Sequence, residues 1–141
     1  HVIGTLPPRS ELDSQSGSLY DYVKIEKHAS PSAFIDYAKS NKIRLISAEI
    51  CKGAQPITNY SFNFDSPLAL VVGNEQIGVP VEILQNSDII YIPMPGIGYC
   101  LNTSQAANIL LYESTKQYKK LKQHKKKTQI EWHEQGMYNL P

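Results

Sequence analysis

The chain has 141 residues, 41% of them apolar and 19% charged, a balance that fits one globular domain with its own core and excludes a disordered or fibrous polymer. No apolar run approaches the roughly 18 residues of a membrane-spanning helix, and the opening HVIGTLPPRS lacks the layout of a signal peptide. The net charge is only +1, but it is unevenly spread: seven of the 14 Lys and Arg are lysines within residues 116–127 (KQYKKLKQHKKK), and residues 53–115 contain neither. Such a cluster suits either phosphate contacts or a solvated helix extension, and composition alone names no partner. Two cysteines, Cys51 and Cys100, make neither a zinc set nor a disulfide framework, so a reducing, cytoplasmic setting without a metal is expected.

Short apolar runs alternate with helix-like segments, the pattern of an α/β fold with a mostly parallel sheet and flanking helices. VIGTL (2–6) reads as a strand, PPRSELDSQSGS (7–18) as a long polar loop and YDYVKI (20–25) as a strand candidate. SPSAFIDYAKSN (30–41) reads as a helix: Ser30 can cap it, Pro31 suits its first turn, and Ala33, Phe34, Tyr37 and Ala38 share a face. IRLISAEI (43–50) follows as a strand, and residues 51–67 as a loop with one short helical turn. LALVVG (68–73) is a continuous apolar run, as expected of a parallel strand buried on both faces. VPVEILQNS (79–87) suits a short helix and DIIYIPM (88–94) the next buried strand. A long helix is expected over 102–123, with Ala106, Ile109, Leu110 and Tyr112 on a broad face. The expected organisation is one domain over 1–118 and a lysine-rich helix extension and tail over 119–141.

Two strand-to-loop transitions stand out, because open α/β sheets place their ligands at the carboxyl ends of strands. VVGNEQIG (71–78) offers Gly73 and Gly78 for tight turning, with Asn74 and Glu75 as polar side chains. It is neither the dinucleotide fingerprint G-x-G-x-x-G nor a phosphate loop ending in Gly-Lys-Ser/Thr. The second transition, IPMPGIGYCLNTSQAANILLYE (92–113), puts two prolines and two glycines into one loop that opens directly into a helix. Prolines lower the entropy lost in holding a shape, and glycines permit close backbone approach.

Together these stretches resemble the second and third signature motifs of the SPOUT RNA methyltransferases, in their SpoU/TrmH branch. Gly73, Glu75 and Gly78 match an apolar strand running into Gly-x-Glu-x-x-Gly. Ile92, Pro93, Met94, Gly96, Leu101, Asn102 and Glu113 match Ile-Pro-Met-x-Gly-x-x-x-Ser-Leu-Asn and the helix that follows. The likeness runs over most of residues 2–113, and SQSGSLYDYVKIEK (14–27) faintly resembles the branch's Ser-x-Gly loop. What it implies is an α/β fold with a C-terminal trefoil knot whose loops form a pocket for S-adenosylmethionine. The resemblance assigns that pocket to Val72, Gly73, Asn74, Glu75, Ile92, Met94, Gly96, Cys100 and Leu101. It further implies transfer of a methyl group to a ribose 2′-hydroxyl of tRNA or rRNA by a homodimer, each site completed by both subunits.

Asn102, Glu75 and Cys100 are the catalytic candidates. Asn102 would position the hydroxyl, although its place at the start of 102–123 equally suits a helix N-cap. Glu75 would shape the cofactor loop or assist, or bond backbone N–H groups of its own loop. Cys100 stands where the branch has Ser; a thiol is a weaker hydrogen-bond donor, and packing is the favoured reading over chemistry. The branch's first motif, an Asn followed by Arg ahead of the VIGTL-like strand, has no counterpart here, and the chain's only arginines are Arg9 and Arg44. Arg9 is a candidate to face RNA or a solvated loop residue, and Arg44 reads as a surface strand position. The alternative reading is a knotted RNA-binding or cofactor-binding protein without catalysis.

Overall fold

The computed structural model describes residues 1–17, 20–96 and 101–122. Among them four parallel strands form the main sheet, in the order β4-β6-β3-β5: β3 is Arg44–Ala48, β4 Gln55–Pro56, β5 Leu68–Val72 and β6 Asp88–Tyr91. Two further short strands, β1 (Val2–Ile3) and β2 (Lys27–His28), pair in parallel as a separate two-stranded sheet. The helices are α1 (Arg9–Ser16), α2 (Pro31–Ser40), α3 (Val81–Leu84) and α4 (Thr103–Lys122).

β3 explains the layering. Its successive residues point to opposite faces, and Leu45 and Ile46 are both buried. Leu45 packs with Phe34, Ile35 and Ala38 of α2 and Ile83 of α3, whereas Ile46 packs with Ile57, Tyr60, Phe62, Ile90 and Leu110 of α4. The sheet is therefore covered on both faces, the arrangement expected where parallel strands carry apolar runs. In α4 the expected broad face is narrower than its composition suggests: Leu110 is fully buried and Ala106 packs on the core, while Ile109, Leu111 and Tyr112 are exposed.

α2 starts as its sequence dictates. The Ser30 hydroxyl accepts from the Ala33 N–H at 3.1 Å, Pro31 opens the first turn, and the Asn41 side chain donates back to the Tyr37 carbonyl at 2.8 Å. The segment around 60–62 has no regular partner, so Gln117 of α4 supplies one. Its amide donates to the Tyr60 carbonyl and accepts from the Phe62 N–H, both at 3.0 Å.

Several elements differ from expectation. Residues 9–16 form a helix rather than a loop; Pro8 precedes it, Gly17 closes it in the left-handed region (φ 57°), and Arg9 bridges Asp13 at 3.3 Å and Asp21 at 2.6 Å. A helix that is polar all round carries no apolar period, so only its Pro-before, Gly-after punctuation marked it. The strand candidate at 20–25 is a single 3-10 turn, Tyr20–Tyr22, and pairing begins only at Lys27. Among the described residues β5 is an edge strand with β3 as its one neighbour, and all five of its residues are half-buried rather than fully enclosed. β6 stops at Tyr91, before Pro93, which has no N–H to continue a ladder. Within 51–67 the expected helical turn is present at Ile57–Asn59, preceded by the two-residue β4.

Neither arginine is a bare surface charge. Arg9 is held by its two aspartates and sits over the Tyr20 ring. Arg44 donates twice to Asp88 Oδ2 (2.9 and 2.6 Å), and the buried Tyr60 hydroxyl donates to the same oxygen at 2.6 Å. Burial and that hydrogen bond push the Tyr60 phenol up to about 12. Burial alone would raise Asp88, but the donors Tyr60 and Arg44 outweigh it and leave the carboxylate below its usual range. Gly98, Cys100, Trp132 and the lysines beyond Lys122 lie outside the described residues.

Candidate functional site

The carboxyl ends of β3, β5 and β6 meet the first turn of α4, and a cleft of about 360 Å³ opens where they converge. That volume falls within the usual range for small-molecule sites. A larger groove, about 1300 Å³, runs along the free edge of β5 beside His1, Val2 and Ile3. The smaller cleft is the better candidate, because the glycine loops and polar side chains gather around it.

One wall is the loop after β5, which closes on itself. Asn74 and Gly78 exchange backbone hydrogen bonds at 2.8 and 3.2 Å, and the Asn74 side chain accepts from the Gln76 N–H at 2.8 Å. A Cβ at Gly73 would collide with the backbone of Gly78, so the first glycine is required by the loop's own closure. Gly78 has φ +68°, and a Cβ there would strike the carboxylate of Glu49, the residue just after β3. Glu49 explains that crowding: its two oxygens accept from the Ile50 N–H (3.0 Å) and the Val79 N–H (2.9 Å), tying the end of β3 to the far side of the 73–78 loop.

The opposite wall is the start of α4. Asn102 caps it, its side-chain oxygen accepting from the Ser104 N–H at 2.9 Å and the Ser104 hydroxyl at 2.7 Å. Among the described residues its amide NH2 has no hydrogen-bond acceptor, so one end of the side chain caps while the other is available to a ligand. The Thr103 hydroxyl reaches both the Gly73 carbonyl, at 3.1 Å, and the Glu75 carboxylate, and its single proton serves one of them at a time. That hydroxyl, followed by the residue's own backbone N–H, holds the Glu75 pKa below the usual carboxylate range. A carboxylate shifted in that direction is a poorer proton acceptor than an ordinary one and suits the fixing of its loop.

Of the expected site residues, Val72, Gly73, Asn74, Glu75, Ile92, Met94, Leu101 and Asn102 line this one cleft. Gly96 stands two residues beyond Met94 at φ +127°; among the described residues nothing lies within 4 Å of where its Cβ would be, and it is not among the residues lining the cleft. Cys100 lies outside the described residues. Sequence reasoning missed Glu49, Tyr91 and Thr103, which also line the cleft. Glu49 belongs to no motif, and its only sequence sign is its place at the end of a strand. The described lining carries two carboxylates, Glu49 and Glu75, and no Lys, Arg or His.

Fold and cleft together define a parallel α/β protein with a small-molecule site at the carboxyl edge of its sheet, closed by the first turn of a long helix. Residues 6–112 match the model of the SpoU rRNA Methylase family, and the chain belongs to that family. It is 31% identical over 123 residues to the tRNA (guanosine(18)-2'-O)-methyltransferase of Aquifex aeolicus, covering 86% of this chain and 51% of that protein. Over 104 residues it is 31% identical to the 23S rRNA (guanosine(2553)-2'-O)-methyltransferase RlmP of Bacillus subtilis, covering 72% and 39%. The chain thus spans about half or less of these two curated relatives. Among solved structures it resembles the SpoU methyltransferase AviRb of Streptomyces viridochromogenes in complex with AdoMet. That likeness has a TM-score of 0.68 at 26% identity, over 83% of this chain and 48% of that one.

Proposed function

We propose that this chain is the cofactor-binding portion of an S-adenosylmethionine-dependent RNA 2′-O-methyltransferase that acts on tRNA or rRNA. The observation that carries the reading is the convergence of both family motifs, from β5 and from the turn into α4, on one cleft. The residues fit the cofactor: apolar walls at Val72, Ile92, Met94 and Leu101 suit a purine, and Glu49 and Glu75 give the lining a negative charge suited to a cationic ligand. Bound there, S-adenosylmethionine supplies an electrophilic methyl group on its sulfonium.

The chain's own residues then position. The 73–79 loop, tied down by Glu49 and Thr103, holds its shape before any ligand arrives, so little ordering entropy is lost on binding. The amide NH2 of Asn102 is the group placed to hold a ribose hydroxyl in line, and alignment supplies much of the acceleration in a displacement of this kind. The described lining offers no cation for the substrate phosphate, so that charge comes from outside it. The lysines over 116–127 and the second subunit of a homodimer are the proposed sources, and the exposed Ile109, Leu111 and Tyr112 of α4 supply the dimer contact.

A C-terminal trefoil knot, a domain over 1–118 with 119–141 as its lysine-rich extension, and a cytoplasmic location complete the proposal. Among the described residues no helix is long and apolar enough to cross a membrane.

Calorimetric titration with S-adenosylmethionine, followed by tritiated methyl transfer to bulk tRNA and rRNA, tests the reading. Saturable one-site binding and label in alkali-resistant dinucleotides are expected. No binding to a folded chain overturns the cofactor site. Binding without transfer favours the non-catalytic alternative.

A further inference from the structure

The short pair β1 and β2 makes a second cluster of ligating side chains, away from the cleft. Its register sets Val2 opposite Lys27 and Ile3 opposite His28, with the Val2 N–H donating to the Glu26 carbonyl at 2.8 Å. Side chains alternate along strands, so His1 shares a face with Ile3, and Glu26 shares that face with His28. Two imidazoles and a carboxylate are thereby brought to one point. His1 Nδ1 lies 3.0 Å from His28 Nε2 and 3.5 Å from Glu26 Oε2, and one ligand atom from each residue falls within 4.8 Å of the others.

We propose that His1, Glu26 and His28 form a binding site for a divalent transition metal of the zinc type. Two imidazoles and a carboxylate suit zinc, nickel or copper rather than calcium or magnesium. In a tetrahedral zinc site with bonds of about 2.0–2.1 Å, neighbouring ligand atoms stand about 3.3–3.4 Å apart, and the two observed separations bracket that value. A lone hydrogen bond between the imidazoles would account for the 3.0 Å contact. The carboxylate oxygen beside the same nitrogen is met without a metal only if the His1 Nδ1–H is shared between His28 and Glu26, and metal titration separates that arrangement from a metal site.

The surroundings hold the ligands still. Lys24 engages Glu26 Oε1 at 2.5 Å, leaving Oε2 toward His1, and the Tyr37 hydroxyl hydrogen-bonds the same carboxylate. Both imidazoles pack against Phe34 and Tyr37, with ring centroids 5.0–5.7 Å apart. Partners of this kind orient the primary ligands of metal sites and keep them from rotating away. Three protein ligands leave a fourth position for water or another donor.

Titration of the 141-residue chain with zinc chloride, with cobalt absorbance read in parallel, tests the site. The wild-type chain should bind one zinc ion saturably and gain thermal stability, and cobalt should give the intense visible bands of tetrahedral coordination. His28→Ala and Glu26→Gln should each weaken zinc binding about tenfold or more. His124→Ala/His133→Ala, which removes the other two histidines, should leave it unchanged. Glu26→Gln keeps the side chain's shape and guards against a folding failure in His28→Ala; melting without zinc identifies any such failure. Absence of saturable binding, or wild-type affinity in a folded Glu26→Gln and a folded His28→Ala, overturns the proposal.

Discussion

Replacing Tyr60 by Phe removes one hydroxyl from the Arg44–Asp88–Tyr60 network and nothing else of comparable size. The phenol is 7% exposed and donates to a carboxylate at 2.6 Å. A hydrogen bond to a charged group contributes about 1.5–3 kcal/mol, and the low end applies because Asp88 keeps both Arg44 donors. Urea unfolding at pH 8 should therefore show Tyr60→Phe less stable by about 1.5 kcal/mol, with an unchanged denaturant slope. Tyr60 has its folded pKa raised to about 12, so its contribution is complete below the unfolded value near 10 and is lost as pH rises through 12. At pH 11 the wild-type chain should already have lost roughly 1 kcal/mol through this group, since the phenol is then mostly ionised in the unfolded chain and mostly protonated in the folded one. The gap between the two proteins should shrink markedly by pH 11, while every other alkaline effect cancels between them. A gap that stays constant from pH 8 to pH 11 would refute a phenol held up by its burial and its contact with Asp88.

Gly78→Ala forces a side chain into the left-handed region, at about 1–2 kcal/mol, and into the Glu49 carboxylate. S-adenosylmethionine affinity by calorimetry should fall about tenfold or more as the 73–79 loop shifts; unchanged affinity would sever the loop from the site. Asn102→Asp keeps the capping oxygen but loses the amide donors, so melting should hold while methyl transfer collapses. Equal activity would leave Asn102 as a cap alone. Gln117→Ala strips partners from the Tyr60 carbonyl and the Phe62 N–H, at about 2 kcal/mol by chemical denaturation. A flat result would mean that water satisfies both groups. On the acid side, Asp88→Asn should flatten the loss of stability below about pH 4, because the depressed carboxylate contributes only above its unfolded pKa.

Alternation of apolar runs with an amphipathic helix was enough to read a parallel α/β sheet. Ser30 and Pro31 placed the start of α2, and the glycines of 73–78 and 92–98 placed the ligand loops at strand ends. Those features act locally, through caps, turns and periods that neighbouring residues determine among themselves. α1 escaped because a polar helix has no period to read, and β5 was taken for an enclosed strand because an apolar run does not say how many neighbours it has.

The contacts that shape the site depend on residues far apart in the chain. Glu49 reaches Val79 across 30 positions and Thr103 reaches Gly73 across 30, while at the opposite end of the sheet Arg44 reaches Asp88 across 44. The meeting of His1 with Glu26 and His28 follows from the parallel register of two-residue strands. By itself, then, the sequence determined the family, the class of fold and most of the cleft's walls, because motifs and periods are local. Which carboxylate ties the loop down, which end of Asn102 caps α4 and which side chains share a face were decided by tertiary structure, because strand order and register bring distant residues within hydrogen-bonding distance.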